Sequence, residues 1–255
     1  MNKKNNTFSG FTLAEVLITL GVIGVVAALT VPTIMQNASD KELVTKLLKF
    51  NSTLSQAVQL WKQDIGCNDS AYKCLNQQNL PDNTISNFDQ IAKFLKVSAS
   101  RVGEGANTET WLPEDIYLYN GDVAASDLGN ISHTGAGHGA FLLQDGTTFS
   151  LDADPNGFAI IADVNGSKKP NRIGKDIYFL TIGEFPGKDI YYNAYWWNNA
   201  DGLCQMETLG ASDQCDPDNL DPSVGDGASP TAYAILNGKL PNFDFGSGGG
   251  GRVPE

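Results

Sequence analysis

Four groups of residues in this sequence carry chemistry beyond packing: a lone glutamate at the head of an oily run, a carboxylate-dense stretch, two histidines and four cysteines. Glu15 stands in "GFTLAEVLIT", residues 10–19, and the 20 residues from Val16 to Met35 that follow hold no charge. At 1.5 Å per helical residue they span about 30 Å, the hydrocarbon thickness of a bilayer. An ionised carboxylate near that depth costs roughly a few kcal/mol even on lenient insertion scales, so it needs a compensating partner. In "DADPNGFAIIAD", residues 152–163, Asp152, Asp154 and Asn156 occupy loop positions one, three and five, Gly157 the sixth and Asp163 the twelfth. That is EF-hand spacing, and calcium is the cofactor such hard oxygens would hold. Strand-like flanks, Pro155 at the fourth position and the short Asp163 at the last favour an ordinary turn over a calcium loop. His133 and His138 lie in "HTGAGHG", where glycines and a non-helical spacing favour a solvated loop over a zinc site. No nucleophile elbow, P-loop or HExxH motif occurs, so a non-enzymatic protein with no cofactor other than possible calcium is expected.

Cys67 and Cys74 are separated by six residues, Cys204 and Cys215 by ten. Neither spacing is that of a zinc knuckle. Of the three connectivities open to four cysteines, the two local bridges together are favoured because a short loop closes at least entropic cost. Disulfides suit an oxidising compartment. The formal net charge of -12 over 255 residues leaves nothing to neutralise a phosphate backbone, so nucleic acid is not an expected partner. Lys3 and Lys4 precede the apolar run and every acidic residue follows them, a polarity that keeps the N-terminus cytoplasmic and exports the acidic bulk.

A cleaved secretory signal ending near "VAA", residues 26–28, and a plain membrane anchor both account for the apolar run. Both leave Glu15 unexplained. The stretch "GFTLAEVLITLGVIGVVAALTVPTI" resembles the class III leader and first helix of type IV prepilins and type II secretion pseudopilins. The resemblance implies cleavage by prepilin peptidase between Gly10 and Phe11, N-methylation of Phe11, and retention of the apolar helix in the mature chain. It makes Glu15 the fifth mature residue, placed to neutralise the new ammonium of a neighbouring subunit. Pro32 falls where many family members carry a helix-kinking proline. The implied partners are homotypic or heterotypic pilin subunits, the peptidase and an inner-membrane assembly platform. The implied location is the inner membrane, with the globular domain on the periplasmic side, and then a pilus or pseudopilus.

Behind these residues the pattern is α+β and pilin-like. After a leader at 1–10 and an apolar helical segment at 11–36, residues 37–65 keep helical spacing through Leu43, Leu47, Phe50, Leu54, Val58, Trp61 and Ile65. "SDKE", residues 39–42, reads either as a capping box opening a second helix or as the polar side of one long helix. A globular domain is expected over 66–245. It comprises one short helix in "NFDQIAKFLKV", an antiparallel meander of three or four strands packed on the first helix, and a loop-rich, disulfide-stapled C-terminal region. "LLQDGTTF" predicts a two-residue hairpin with positive φ at Asp145 and Gly146. "TAYAILNGKL" predicts a last strand and turn, and residues 246–255 a flexible tail. The aromatic run "YYNAYWWNN", residues 191–199, reads as core cover ahead of a binding platform. A rival function is therefore an exported, membrane-anchored module that binds glycan or peptide through its aromatic loops.

Overall fold

A computed structural model describes residues 11–77, 85–102, 108–109, 111–113, 115–117, 133–134, 138–154, 157–183, 189–192 and 228–240. Helix α1, Leu13–Asp64, runs 52 residues without interruption, so "SDKE" lies within one long helix and starts no second one. By compactness the chain divides into two units between Asp40 and Lys41. In the first, residues 11–39 are all exposed.

In the second unit, Leu43, Val44, Leu47, Phe50, Leu54, Ala57, Val58 and Trp61 form the buried stripe of α1, the face expected from three- and four-residue spacing. Two short helices follow, α2 (Ala71–Gln77) and α3 (Ile85–Ala92). The strands are β1 (Val97–Val102), β2 (Thr108–Glu109), β3 (His133–Thr134), β4 (His138–Leu143), β5 (Thr148–Asp154), β6 (Gly157–Asp163), β7 (Ile177–Ile182) and β8 (Ile190–Tyr191). β2 and β3 form a separate antiparallel ribbon. The others make one antiparallel sheet in the order β1-β4-β5-β6-β7-β8. The sheet has six strands where three or four were expected. β1, "VSASRV", is short of bulky apolar residues, and β8 has two residues, so neither carries a strong strand signal.

The main core lies between the helices and one face of the sheet. Phe88 of α3 sits 5.1 Å from Phe141, 5.9 Å from Phe149 and 5.5 Å from Phe158, and Phe50 of α1 lies 5.6 Å from Phe149. Such tilted ring pairs add about 0.5–1.5 kcal/mol each beyond the area they bury. On the opposite face, Leu112 and Ile116 cover Ile161, Ile177 and Phe179. β6 and β7 are thus buried on both sides, which accounts for their continuous apolar runs.

Two local expectations are corrected. The β4–β5 connection is a three-residue loop: Gly146 N donates to Leu143 O and Leu143 N to Thr147 O. Gly146 alone takes positive φ, 89°, the signature of a type I turn closed by a glycine bulge. Asp145 instead uses its carboxylate, accepting from Thr147 N at 3.1 Å and pairing with Lys49 of α1 at 2.7 Å. The segment "TAYAILNGKL" is mostly helix, α4, Ala228–Asn237. Thr231 and Ala234 are buried one turn apart, Pro230 sits in the first turn, and Gly238 ends the helix at φ 63° with its N–H on Ala234 O. Among the described residues β8 pairs with Thr181 and Ile182 and no strand lies beside Phe179 on that edge of β7; the Phe179 N–H donates to Thr231 Oγ1 at 3.2 Å. The helix thereby satisfies a sheet edge that a strand would otherwise cover.

Candidate processing and assembly site

The N-terminus of α1 is held by reciprocal hydrogen bonds. Thr12 N and Thr12 Oγ1 both donate to Glu15 Oε2 at 2.8 Å, and Glu15 N donates to Thr12 Oγ1 at 3.3 Å. This is a capping box, with Thr12 as cap and Glu15 at the third helical position. The T-x-x-E signal for it is present in "TLAE", residues 12–15. Phe11, immediately before the cap, is 89% exposed. Gly10 lies outside the described residues. Downstream, Leu17, Ile18, Leu20, Val22, Ile23, Val25, Val26 and Leu29 are exposed apolar side chains. The hydroxyls in this run turn back on the helix: Thr19 Oγ1 donates to Val16 O and Thr30 Oγ1 to Val26 O, both at 2.9 Å. Such back-bonding lets a hydroxyl sit in hydrocarbon without a lost hydrogen bond. Pro32 lies inside α1, which continues through it. One helix among the described residues, α1, is long and apolar enough to cross a membrane.

Residues 5–31 match the family model of the prokaryotic N-terminal methylation motif. This N-terminal segment is that of a type IV prepilin- or pseudopilin-like protein. No curated protein and no solved structure matches it. Its α+β architecture, a long N-terminal helix followed by an antiparallel sheet, is pilin-like.

The other sequence-derived candidates are dispersed. Cys67 and Cys74 form a disulfide, whereas Cys204 and Cys215 lie outside the described residues. The bridge is prepared by the end of α1: Gly66 at φ 69° donates to Gln63 O and Cys67 N to Lys62 O, a Schellman motif that turns Cys67 towards α2. Asp189, before β8, locks the same corner. It accepts from Ala71 N at 2.7 Å, from Lys62 Nζ at 3.0 Å and from Gln59 Nε2 at 2.5 Å. No local pattern marks Asp189, because its three partners are more than 100 residues away in sequence.

The calcium candidates Asp152, Asp154 and Asp163 belong to a hairpin and not to one loop. Asp154 pairs with Gly157 and Asp152 with Ala159, while Asp163 pairs with Thr148 at the other end of β6. Six residues of strand, about 20 Å, separate Gly157 from Asp163. Asn156 lies outside the described residues. His133 and His138 are placed on β3 and β4 and not in a loose loop, opposite Glu109 and Asp152. Of the aromatic run, Tyr191 and Tyr192 are buried and residues 193–199 lie outside the described residues.

Asp163 has another neighbour. Burial and the nearby Asp176 push its carboxyl up to about 8, and burial also raises Asp176. Desolvation and a like charge both penalise the ionised form.

Proposed function

We propose that this chain is a non-enzymatic structural subunit of a type IV pilus or type II secretion pseudopilus. Prepilin peptidase cuts between Gly10 and Phe11, Phe11 becomes the N-methylated first residue, and α1 assembles side by side with the helices of like or different pilin subunits on an inner-membrane platform. The observation that carries this reading is the methylation motif at residues 5–31 opening directly onto an exposed apolar helix with one acid at its start. In a low-dielectric stack an unpaired ammonium or carboxylate is heavily penalised, so Glu15 pairs with the Phe11 amine of a neighbour and sets register. Lys3 and Lys4 favour a cytoplasmic leader and a periplasmic globular domain. The Cys67–Cys74 bridge supports that placement, since disulfides persist in oxidising compartments.

The N-terminal mass of the protein from its own envelope tests this. A chain starting at N-methyl-Phe11 is expected; a start near Leu29 or an uncut Met1 overturns the reading.

A further inference from the structure

Lysines gather at one end of the second unit. The β6–β7 connection, residues 164–176, is closed at its neck by Val164 N, which donates to Asp176 O at 2.9 Å. Beyond the neck Gly166 takes φ 68°, and a Cβ there would stand 3.1 Å from Gly146 O, so the base of the connection lies on the β4–β5 turn. Lys168 and Lys169 follow and are exposed. The part of α1 beside these two turns opens the second unit at Lys41, which is exposed as well. Three interactions fix this neighbourhood. Lys49 pairs with Asp145 of the β4–β5 turn at 2.7 Å, the charge of Lys46 reaches Asp163 at the end of β6, and the charge of Lys168 reaches Glu42.

The acids here are spoken for. Glu42 is taken by Lys46 at 3.0 Å and Asp145 by Lys49. The hydrogen bond and charge of Lys46, with a smaller share from Lys168, hold the Glu42 carboxyl below its ordinary range. Asp163 and Asp176 are buried under the connection, where burial favours their uncharged forms. Asp40, next to Lys41, is half-buried. Among the described residues Lys41, Lys168 and Lys169 make no ion pair; the four pairs are made by Lys46, Lys49, Lys62 and Lys73. An exposed positive face therefore stands on a chain of net charge -12.

Position along α1 supplies the partner. Lys41 comes six residues after Met35, the last of the uncharged run, and α1 is uninterrupted between them, a rise of about 9 Å. The headgroup layer outside the hydrocarbon is about 5–8 Å deep. With the apolar run of α1 in a bilayer, Lys41 stands within about a Debye length, 8–10 Å, of the lipid phosphates. Lysine meets a phosphate as a flexible point charge, and each lysine near an anionic membrane surface strengthens attachment about fivefold. The acidic remainder of the chain is repelled by that surface, so this face is the one that can approach it.

We propose that Lys41, Lys168 and Lys169 form a docking face for the anionic phospholipid headgroups of the leaflet from which α1 emerges. The inference rests on α1 lying in a bilayer and not on filament assembly.

The full-length chain should be reconstituted into vesicles of phosphatidylcholine alone and of phosphatidylcholine mixed with phosphatidylglycerol, and the reactivity of each lysine read by pulsed acylation and mass spectrometry. In the anionic vesicles Lys41, Lys168 and Lys169 are expected to react about fivefold more slowly or less, with recovery at high salt, while Lys73 and Lys93 keep their rates. Lys168→Ala with Lys169→Ala should return Lys41 most of the way to its rate in phosphatidylcholine. Equal reactivity of the wild-type lysines in both lipids overturns the docking. Unchanged protection of Lys41 in the double variant does so too, since its nearness to the surface then suffices. Protection in phosphatidylcholine that grows with protein density assigns the face to a second copy of the chain and overturns the lipid. A chain that fails to float with phosphatidylcholine vesicles overturns the membrane reading of α1 and the docking with it, whereas one that floats but labels equally in both lipids overturns the docking alone.

Discussion

Glu15 does two separable things. Its carboxylate closes the capping box with Thr12, and in the proposed assembly its charge is the one available to a neighbour's terminal amine. Glutamine also serves at the third position of a capping box but carries no charge. Glu15→Gln should therefore export and process normally, with unaltered helix content, yet enter filaments about tenfold less or worse. Equal incorporation of Glu15→Gln and wild type, scored on sheared filaments, would mean that the cap alone explains the residue. Asp163 gives a second residue-scale expectation. Its folded pKa, about 8, lies above the unfolded value near 3.8, so the folded state holds the proton more tightly. In EDTA, stability should be greatest near pH 4 and fall as pH rises towards 8, by up to about 1.4 kcal/mol per pH unit. Asp176 acts in the same direction, and the positive charge of Lys46 lessens the effect. Denaturant midpoints between pH 4 and 8 measure this, and Asp163→Asn should flatten the profile.

At the scale of elements, the corner where α1 ends is the most heavily secured. The disulfide closes a short loop, for which chain entropy gives about 2.5 kcal/mol, so Cys67→Ser with Cys74→Ser should lose roughly that in urea unfolding. Gly66→Ala should cost about 1 kcal/mol through its φ of 69° alone, since an added Cβ there meets nothing within 4 Å. The two ion pairs that α1 makes with the rest of its unit should differ. Lys62 and Asp189 are largely buried, with side chains 12% and 19% exposed, whereas Lys49 and Asp145 are 61% and 33% exposed. Asp189→Ala should cost about 1–3 kcal/mol because it strands Lys62 and the Ala71 amide, while Lys49→Ala should cost no more than about 0.5 kcal/mol. Comparable losses from both would show that burial does not rank them.

For the whole molecule, the two units obey different solvents. The second closes a core of helices on a six-stranded sheet, and Leu54→Ala there should cost about 3 kcal/mol through the cavity it leaves. The first presents apolar side chains on every side of a helix, a surface far beyond what water tolerates, so it requires lipid or other subunits. A chain beginning at Lys41 is expected to stay monodisperse without detergent, by size-exclusion chromatography, with a melting temperature within a few degrees of the full-length protein.

What the sequence determined by itself is what contiguous residues carry: the leader and its acid, an apolar length matched to a bilayer, the buried stripe from Leu43 to Trp61, the two strands on either side of Asp145 and Gly146, and the Cys67–Cys74 loop. Each is a pattern within a few turns or strands, where spacing and orientation are nearly the same thing. Tertiary structure alone decided the rest. "TAYAILNGKL" reads equally as alternation, and packing of Thr231 against the open edge of β7 made it a helix. β1 and β8 exist because neighbouring strands offered unpaired edges, not because their own residues demand extension. Asp163 belonged to a plausible metal spacing with Asp152 and Asp154, but antiparallel pairing carried it to the far end of β6 and set it beside Asp176. Twelve residues of sequence between two acids give no sign of contact. The closure of the β6–β7 loop puts both inside the protein, where an unpaired charge is costly enough to require a partner.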